Sequence, residues 1–84
     1  MRFLCDGINL EVDQVDSGQP VLLIHGFTGA GVTMRPLATR LDGHKIMPDL
    51  IGHGKSEAPA QLSPYTLPSM SKQLSALLHQ LGAE

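Results

Sequence analysis

Two glycine-containing loops, each placed directly after a short apolar stretch, most constrain how this chain can fold. Residues 21–24 form a continuous apolar run of β-forming side chains, and three glycines follow within residues 26–31. Because the run does not alternate with polar residues, it predicts a strand covered on both faces, as in a parallel sheet. Residues 45–50 predict a second, shorter parallel strand, although Pro48 disfavours a strand here unless the strand ends at that residue. Another glycine loop follows it at residues 51–56.

A helix is predicted between these two strands. It is indicated by four apolar residues at the spacing i, i+3, i+4 and i+7: Met34, Leu37, Ala38 and Leu41. Thr33 is the expected N-cap, and Pro36 falls in the first turn, where its missing N–H costs little. Gly43 is the expected C-terminal cap.

A second helix is predicted near the end of the sequence. Thr66 is its expected N-cap, Pro68 lies in its first turn and Gly82 should end it. Its apolar stripe is the clearest in the chain and consists of Leu67, Met70, Leu74, Leu77, Leu78 and Leu81.

The chain opens with a predicted antiparallel hairpin. Asp6-Gly7 is a strong two-residue turn signal between an apolar segment at residues 2–5 and alternating apolar and polar residues at 8–13. The order hairpin, strand, helix, strand, helix predicts an α/β sheet in which parallel strands follow the hairpin. We expect one partial domain over residues 1–84, because this order calls for another strand after the helix that ends near Glu84.

Composition excludes several functional classes. The chain is 42% hydrophobic and has a net charge of -2, so disorder, nucleic-acid binding and membrane-surface binding are not predicted. No apolar run approaches the roughly 20 residues of a membrane span, and no signal peptide is visible. Cys5 is the single cysteine, which excludes an intramolecular disulfide and favours a cytoplasmic location. The four histidines lack metal-ligand spacing, so neither a metal site nor a cofactor is predicted.

The two loops together resemble those of the α/β-hydrolase family. His25-Gly26-Phe27-Thr28-Gly29 resembles the loop after the third strand of that family. Residues 49–56 are similar to the Asp-x-x-Gly-x-Gly-x-Ser stretch after the fourth strand, although many members have Pro where this chain has Ile51. The match extends over roughly residues 3–82, and it is the pair of motifs, separated by one amphipathic helix, that is fairly specific.

The resemblance implies a role for the first loop. In the family a backbone N–H from this loop forms part of the oxyanion hole, and the matching residue here is Phe27. His25, Gly26 and Thr28 would then lie at the substrate. The alternative is a plain glycine turn between a strand and a helix. For the second loop the resemblance implies a tight structural turn, with direct ligand contact from His53 or Ser56 as the alternative.

The reactive groups of the family are not found in this chain. The family's nucleophile follows the next strand, and its acid and histidine come later still, so none of the three is placed within residues 1–84. Ser56 lacks the strand-to-helix context of a nucleophile elbow. Gly54-Lys55-Ser56 is not a phosphate-binding loop either, because Asp49 stands where that motif needs a glycine. Cys5 is expected to be inert packing.

Two functional hypotheses remain open. In the first, the chain is the N-terminal part of an α/β-hydrolase enzyme, inactive alone and acting on a small molecule only when completed. The first loop with Tyr65-Thr66 is similar to the menaquinone-pathway succinyl-hydroxycyclohexadiene carboxylate synthases, as well as to esterases, dehalogenases and carbon–carbon hydrolases. In the second, the chain is a non-catalytic module or half of a split protein. The strand at residues 21–24 would then expose an apolar edge and promote self-association.

Overall fold

The fold is a four-stranded mixed sheet with helical segments on both faces, described for residues 1–83 by a computed structural model. The strands are β1 (Arg2–Cys5), β2 (Ile8–Val15), β3 (Pro20–Leu22) and β4 (His44–Pro48). Their order in the sheet is β1-β2-β4-β3, in which β3 and β4 are parallel and the other neighbouring strands are antiparallel. The predicted α/β class, with an antiparallel hairpin followed by parallel strands, is confirmed.

The hairpin of β1 and β2 forms where it was predicted. Asp6 and Gly7 both have positive φ, at 50° and 81°, which is typical of the type I′ turns that match the twist of paired strands. Ile8, Leu10 and Val12 are buried, as their alternation predicts. β2 is longer than the alternating residues suggested and continues to Val15, because its second half pairs with β4.

The strand that is buried on both faces is β4 and not β3. Every residue from Lys45 to Pro48 is buried, since β4 lies between β2 and β3. β3 is an edge strand that includes only part of the predicted run at residues 21–24, and Ile24 is 41% exposed. A continuous apolar run therefore predicted a strand correctly, but its place in the sheet decided how much of it is covered.

The helical segment between β3 and β4 differs from the prediction. A 3-10 helix at Gly31–Met34 precedes a short α-helix, α1 (Arg35–Ala38), so Thr33 lies inside the 3-10 turn and is not an N-cap. Beyond α1 the backbone tightens to i→i+3 hydrogen bonds, from Arg40 N–H to Leu37 and from Leu41 N–H to Ala38.

Gly43 is not the C-terminal cap of α1, which already ends at Ala38. Its φ of +107° instead turns the chain into β4, and a β-carbon there would lie 2.4 Å from the Gln19 carbonyl oxygen. Glycine is therefore needed at this position because the backbone of Gln19 leaves no room for a side chain.

The second predicted helix is confirmed. α2 (Leu67–Gln80) follows a 3-10 turn at Ser63–Tyr65, and the Thr66 side chain caps it by accepting a hydrogen bond from Ser69 N–H at 3.3 Å. Leu67 is exposed although it belongs to the apolar stripe, whereas Gln73 is buried and donates to the Pro64 carbonyl at 2.9 Å.

The core has two layers, one on each face of the sheet. Neighbouring β4 residues point to opposite faces, so Ile46 packs in a cluster with Leu77 of α2, while Met47 packs with Ala38 of α1. α1 and α2 therefore lie on opposite faces of the sheet, and Ile51, in the loop that follows β4, is buried in the same cluster as Leu77.

Candidate functional site

The two glycine loops lie side by side at one edge of the sheet. We call residues 23–30 loop A and residues 49–56 loop B; they follow β3 and β4. Because β3 and β4 are parallel neighbours, their carboxyl ends meet at the same edge, which is where open α/β sheets bind their ligands. The sequence motifs are therefore brought together by the topology of the sheet.

Loop B is organised around the carboxylate of Asp49, which is only 8% exposed. Its two oxygens accept hydrogen bonds from Gly31 N–H at 2.6 Å and from Lys55 N–H at 2.9 Å. Gly54 has a positive φ of 51°, and a β-carbon at this position would lie 2.3 Å from a carboxylate oxygen of Asp49. The carboxylate thus fastens loop B to itself and to the start of the 3-10 helix that follows loop A.

Ser56 completes this arrangement and is also 8% exposed. Its hydroxyl donates to the Asp49 carbonyl and accepts from Glu11 N–H of β2 at 2.8 Å. Both its donor and one acceptor position are therefore used by the backbone. This geometry supports the interpretation of the second motif as a structural turn.

His25 anchors loop A to loop B through its imidazole, which is 4% exposed. Its Nε2 accepts a hydrogen bond from Leu50 N–H at 2.9 Å, so Nε2 carries no proton. The proton consequently lies on Nδ1, which donates to the Gly26 carbonyl at 2.7 Å. Both ring nitrogens are engaged with the backbone.

Phe27 lies at the tip of loop A and is 88% exposed. Gly29 N–H donates to the Gly26 carbonyl at 3.0 Å, which closes a β-turn with Phe27 in its second position. Within residues 1–83, Phe27 N–H forms no hydrogen bond. Because a trans peptide group is planar, Phe27 N–H lies in the same plane as the Gly26 carbonyl and points in the opposite direction, so the two bonds to the Gly26 oxygen also restrain the direction of the N–H.

His53 of loop B reaches back to loop A. Its Nε2 lies within hydrogen-bond distance of the Phe27 carbonyl oxygen, and its Nδ1 is 3.0 Å from the Ile51 carbonyl oxygen. The ring centroid lies 4.9 Å from that of His25 and 6.0 Å from that of Phe27. Sequence reasoning offered His53 only as an alternative ligand contact and missed its contact with loop A, because the motif that contains His53 carries no information about its neighbour in space.

The remaining reactive side chains do not join this site. Cys5 is fully buried in the core, and burial raises the pKa of its thiol, which agrees with inert packing. Among residues 1–83, no three His, Cys, Asp or Glu side chains cluster as metal ligands would. Nor does any helix in that part of the chain have the length and apolar character to cross a membrane.

Comparison with known proteins identifies the fold. The profile of the alpha/beta hydrolase fold family matches residues 19–84, which include both loops. This chain belongs to the α/β-hydrolase fold family. The pattern of sheet order and loops described above is therefore that of the N-terminal part of an α/β-hydrolase fold.

Several relatives of this α/β-hydrolase chain have names that state an activity. It is 38% identical over 82 residues to epoxide hydrolase 2 of Siraitia grosvenorii, covering 94% of this chain and 26% of that protein. It is 39% identical over 67 residues to lipase 1 of Psychrobacter immobilis, covering 79% of this chain and 21% of that protein.

Solved structures of epoxide hydrolases superpose closely on it. One from Vigna radiata has a TM-score of 0.87 at 31% identity, over 98% of this chain and 28% of the other. One from Bacillus megaterium has a TM-score of 0.90 at 25% identity, over 98% of this chain and 30% of the other. The chain thus spans about a quarter of the length of the curated relatives it matches.

Proposed function

We propose that this chain is the N-terminal segment of an α/β-hydrolase enzyme and that Phe27 N–H is one donor of its oxyanion hole. The observation that carries the proposal is the Phe27 amide itself, which lies on an exposed turn at the carboxyl edge of parallel strands and forms no hydrogen bond within residues 1–83. The hydrogen bonds to the Gly26 oxygen hold that amide in one direction before any substrate arrives.

Such an amide has a defined chemical use. When a nucleophile attacks a carbonyl carbon, negative charge develops on the oxygen, and a fixed N–H at about 2.7–3.1 Å stabilises it at no cost of reorganisation. A backbone donor suits this purpose because it does not titrate. Residues 1–84 contain no Gly-x-Ser-x-Gly, so the chain by itself is proposed to be inactive.

The named relatives favour hydrolysis as the reaction. Epoxide hydrolases and lipases are among the proteins that this chain resembles over both loops, so we propose an epoxide or a carboxylic ester of small size as the substrate class of the completed enzyme. The pyruvate elimination suggested by the resemblance to the menaquinone-pathway synthases has no such support and stays a prediction. His25, Gly26 and Thr28 stay predicted substrate-side residues.

A chimaera tests the role of Phe27. The matching residues of this chain would replace the matching 21% of lipase 1 of Psychrobacter immobilis, and hydrolysis of a carboxylic ester, in which a carbonyl carbon is attacked, would be followed. In Phe27→Pro the N–H is removed at a turn position that suits proline, so kcat should fall about 100- to 1000-fold. Phe27→Ala keeps the N–H and serves as the matched control, with a much smaller loss. Equal activity of the two variants would refute the oxyanion role.

The isolated chain provides a second test. We expect no hydrolysis of a p-nitrophenyl ester above the buffer rate, because no nucleophile is present. Turnover that follows the purified chain and disappears in Ser56→Ala would contradict this. Nucleotide sequence beyond codon 84 is a further check, since a Gly-x-Ser-x-Gly shortly downstream is expected for a hydrolase.

The open edge of β3 favours a second candidate, a module that pairs with another chain. In the part of the chain that the structure describes, β4 is the only strand that pairs with β3, and Leu23 N–H, just beyond β3, donates to the Ile46 carbonyl at 2.9 Å. Successive strand residues turn their amides to opposite sides, so the amides of Leu22 and Ile24 face away from β4. An unpaired edge of this kind pairs readily with a second copy or with a completing segment.

The oligomeric state distinguishes this candidate. We expect the isolated chain to sediment as oligomers and Ile24→Lys to shift it toward monomer, because a lysine at an edge discourages pairing. Leu4→Lys makes the same change on β1, at the opposite edge of the sheet, and should leave the oligomers intact. A monodisperse, cooperatively folding wild-type monomer would refute self-association.

A further inference from the structure

Two histidines on different loops hold the two peptide groups that flank Phe27. The Gly26–Phe27 peptide is held through its oxygen by His25 Nδ1–H, as described above. The Phe27–Thr28 peptide presents its oxygen to His53 Nε2. A residue whose two flanking peptide planes are both fixed has little freedom left in φ and ψ, so its N–H direction is set by these contacts.

The contact made by His53 requires a proton on Nε2. Both of its ring nitrogens face carbonyl oxygens, which only accept, and a neutral imidazole has a single N–H. If Nε2 were unprotonated, its lone pair would face those of the Phe27 carbonyl oxygen, and His53 could donate only to the Ile51 carbonyl. His25 has the opposite requirement, since its Nε2 must stay unprotonated to accept from Leu50 N–H.

His53 is mounted on the more rigid of the two loops. The Asp49 carboxylate and the Ser56 hydroxyl fasten loop B to β2 and to the 3-10 helix. Loop A has no comparable side-chain anchor at its tip, where Phe27 is exposed. The contact from His53 to Phe27 therefore joins loop B to the tip of loop A, residues 26–29, which His25 and the turn closed by Gly29 N–H also hold.

We propose that His53 is a positioning residue: with its proton on Nε2 it donates to the Phe27 carbonyl and holds loop A in the orientation that aims the Phe27 N–H. The importance of this orientation for catalysis rests on the proposed oxyanion role of Phe27. The contact between His53 and Phe27 does not depend on that role and is measured separately. Misplacement of a catalytic group by about 1 Å costs on the order of 100-fold in rate, so a contact that limits this movement matters.

Nuclear magnetic resonance of the isotope-labelled 84-residue chain tests the contact directly. Long-range ¹H–¹⁵N correlations of the rings report which nitrogen carries the proton. We expect a protonated Nε2 in His53 and an unprotonated Nε2 in His25, so the two neighbouring rings should differ. An unprotonated Nε2 in His53 overturns the proposal, and this measurement on the wild-type chain needs no variant to fold.

Variants test the positioning role. His53→Phe keeps a ring without a donor, and backbone order parameters at residues 26–28 should fall from about 0.85 to below about 0.6. His53→Gln retains an N–H donor and should restore the order, which a merely space-filling role does not predict. His79→Phe makes the same ring change on α2, away from both loops, and is the control. Unchanged order parameters in His53→Phe overturn the proposal.

These results separate the inference from the proposed function. If Phe27→Pro leaves the chimaera fully active while the ring and order measurements are as expected, the oxyanion role fails and the contact stands. If Phe27→Pro abolishes activity and residues 26–28 stay ordered in His53→Phe, the positioning role fails and the oxyanion role stands.

Discussion

Loop A and loop B have similar lengths and are both rich in glycine, yet they differ in how their backbone N–H groups are hydrogen-bonded. Loop B turns its polar groups inward, where Asp49 and Ser56 are each 8% exposed and bonded to the backbone. Loop A turns outward, and Phe27 at its tip is 88% exposed with an N–H that forms no hydrogen bond within residues 1–83.

The difference comes from a single buried carboxylate. Asp49 collects backbone N–H groups from Gly31 and Lys55, so these amides are not available to a ligand. No carboxylate lies within the loop A sequence, and its turn is closed by a carbonyl instead. Glycine allows both loops to bend, but the presence or absence of an internal acceptor decides whether a glycine loop is a scaffold or presents a donor. This comparison predicts a ranking of mutational effects.

The largest loss of stability is expected for Asp49→Ala. It leaves two amide donors without their charged acceptor, and hydrogen bonds to charged groups contribute about 1.5–3 kcal/mol each, so roughly 3–6 kcal/mol should be lost. Denaturant unfolding followed by circular dichroism measures this. Asp42→Ala changes an exposed aspartate and is the control. A similar, small effect of both substitutions would show that Asp49 does not organise loop B.

A smaller loss is expected for Gly54→Ala. An alanine here adopts a left-handed conformation, at about 1–2 kcal/mol, and its β-carbon also meets the Asp49 carboxylate. Gly82→Ala carries the first penalty alone, because Gly82 has a φ of +67° and a β-carbon added there would have no neighbouring atom within 4 Å. Their difference in unfolding free energy, about 1–3 kcal/mol by the usual cost of overpacking, isolates the contact with Asp49. Equal losses of stability in the two variants would show that the close approach of Gly54 to Asp49 does not constrain loop B.

Ser56→Ala should cost about 1–3 kcal/mol, because it leaves Glu11 N–H without its acceptor and the Asp49 carbonyl without its donor. Ser56→Thr keeps the hydroxyl and tests whether added bulk is tolerated. Thermal unfolding of the two variants beside wild type is the measurement. No change in Ser56→Ala would mean that the hydroxyl is free for another purpose, which would reopen its role as a reactive group.

The smallest effect on stability is expected in loop A. Phe27→Ala removes an exposed ring and should change the unfolding free energy by no more than about 0.5 kcal/mol. Denaturant unfolding followed by circular dichroism, as for Asp49→Ala, measures this change. A loss of stability as large as that of Ser56→Ala would show that the Phe27 ring stabilises the fold through its contact with His53. The two loops would then differ less in their contribution to stability.

Sequence reasoning succeeded where the signal was local. The turn at Asp6-Gly7, the cap at Thr66 and the end of β4 at Pro48 depend on the conformational preferences of a few adjacent residues, and all three are observed. It failed for the helix between the strands, where Thr33 does not cap. There a 3-10 turn held by the bond from Gly31 N–H to the buried Asp49 carboxylate replaces the expected helix start.

The sequence by itself determined the class of the fold and the order of its elements, because apolar periodicity and turn residues specify strands, helices and their order. Only the tertiary structure decided which amides are consumed and which stay available. The bonds responsible join Asp49 to Gly31, 18 residues apart, and His53 to Phe27, 26 residues apart. Contacts of this kind exist only after β3 and β4 lie side by side, so no local pattern in the chain encodes them.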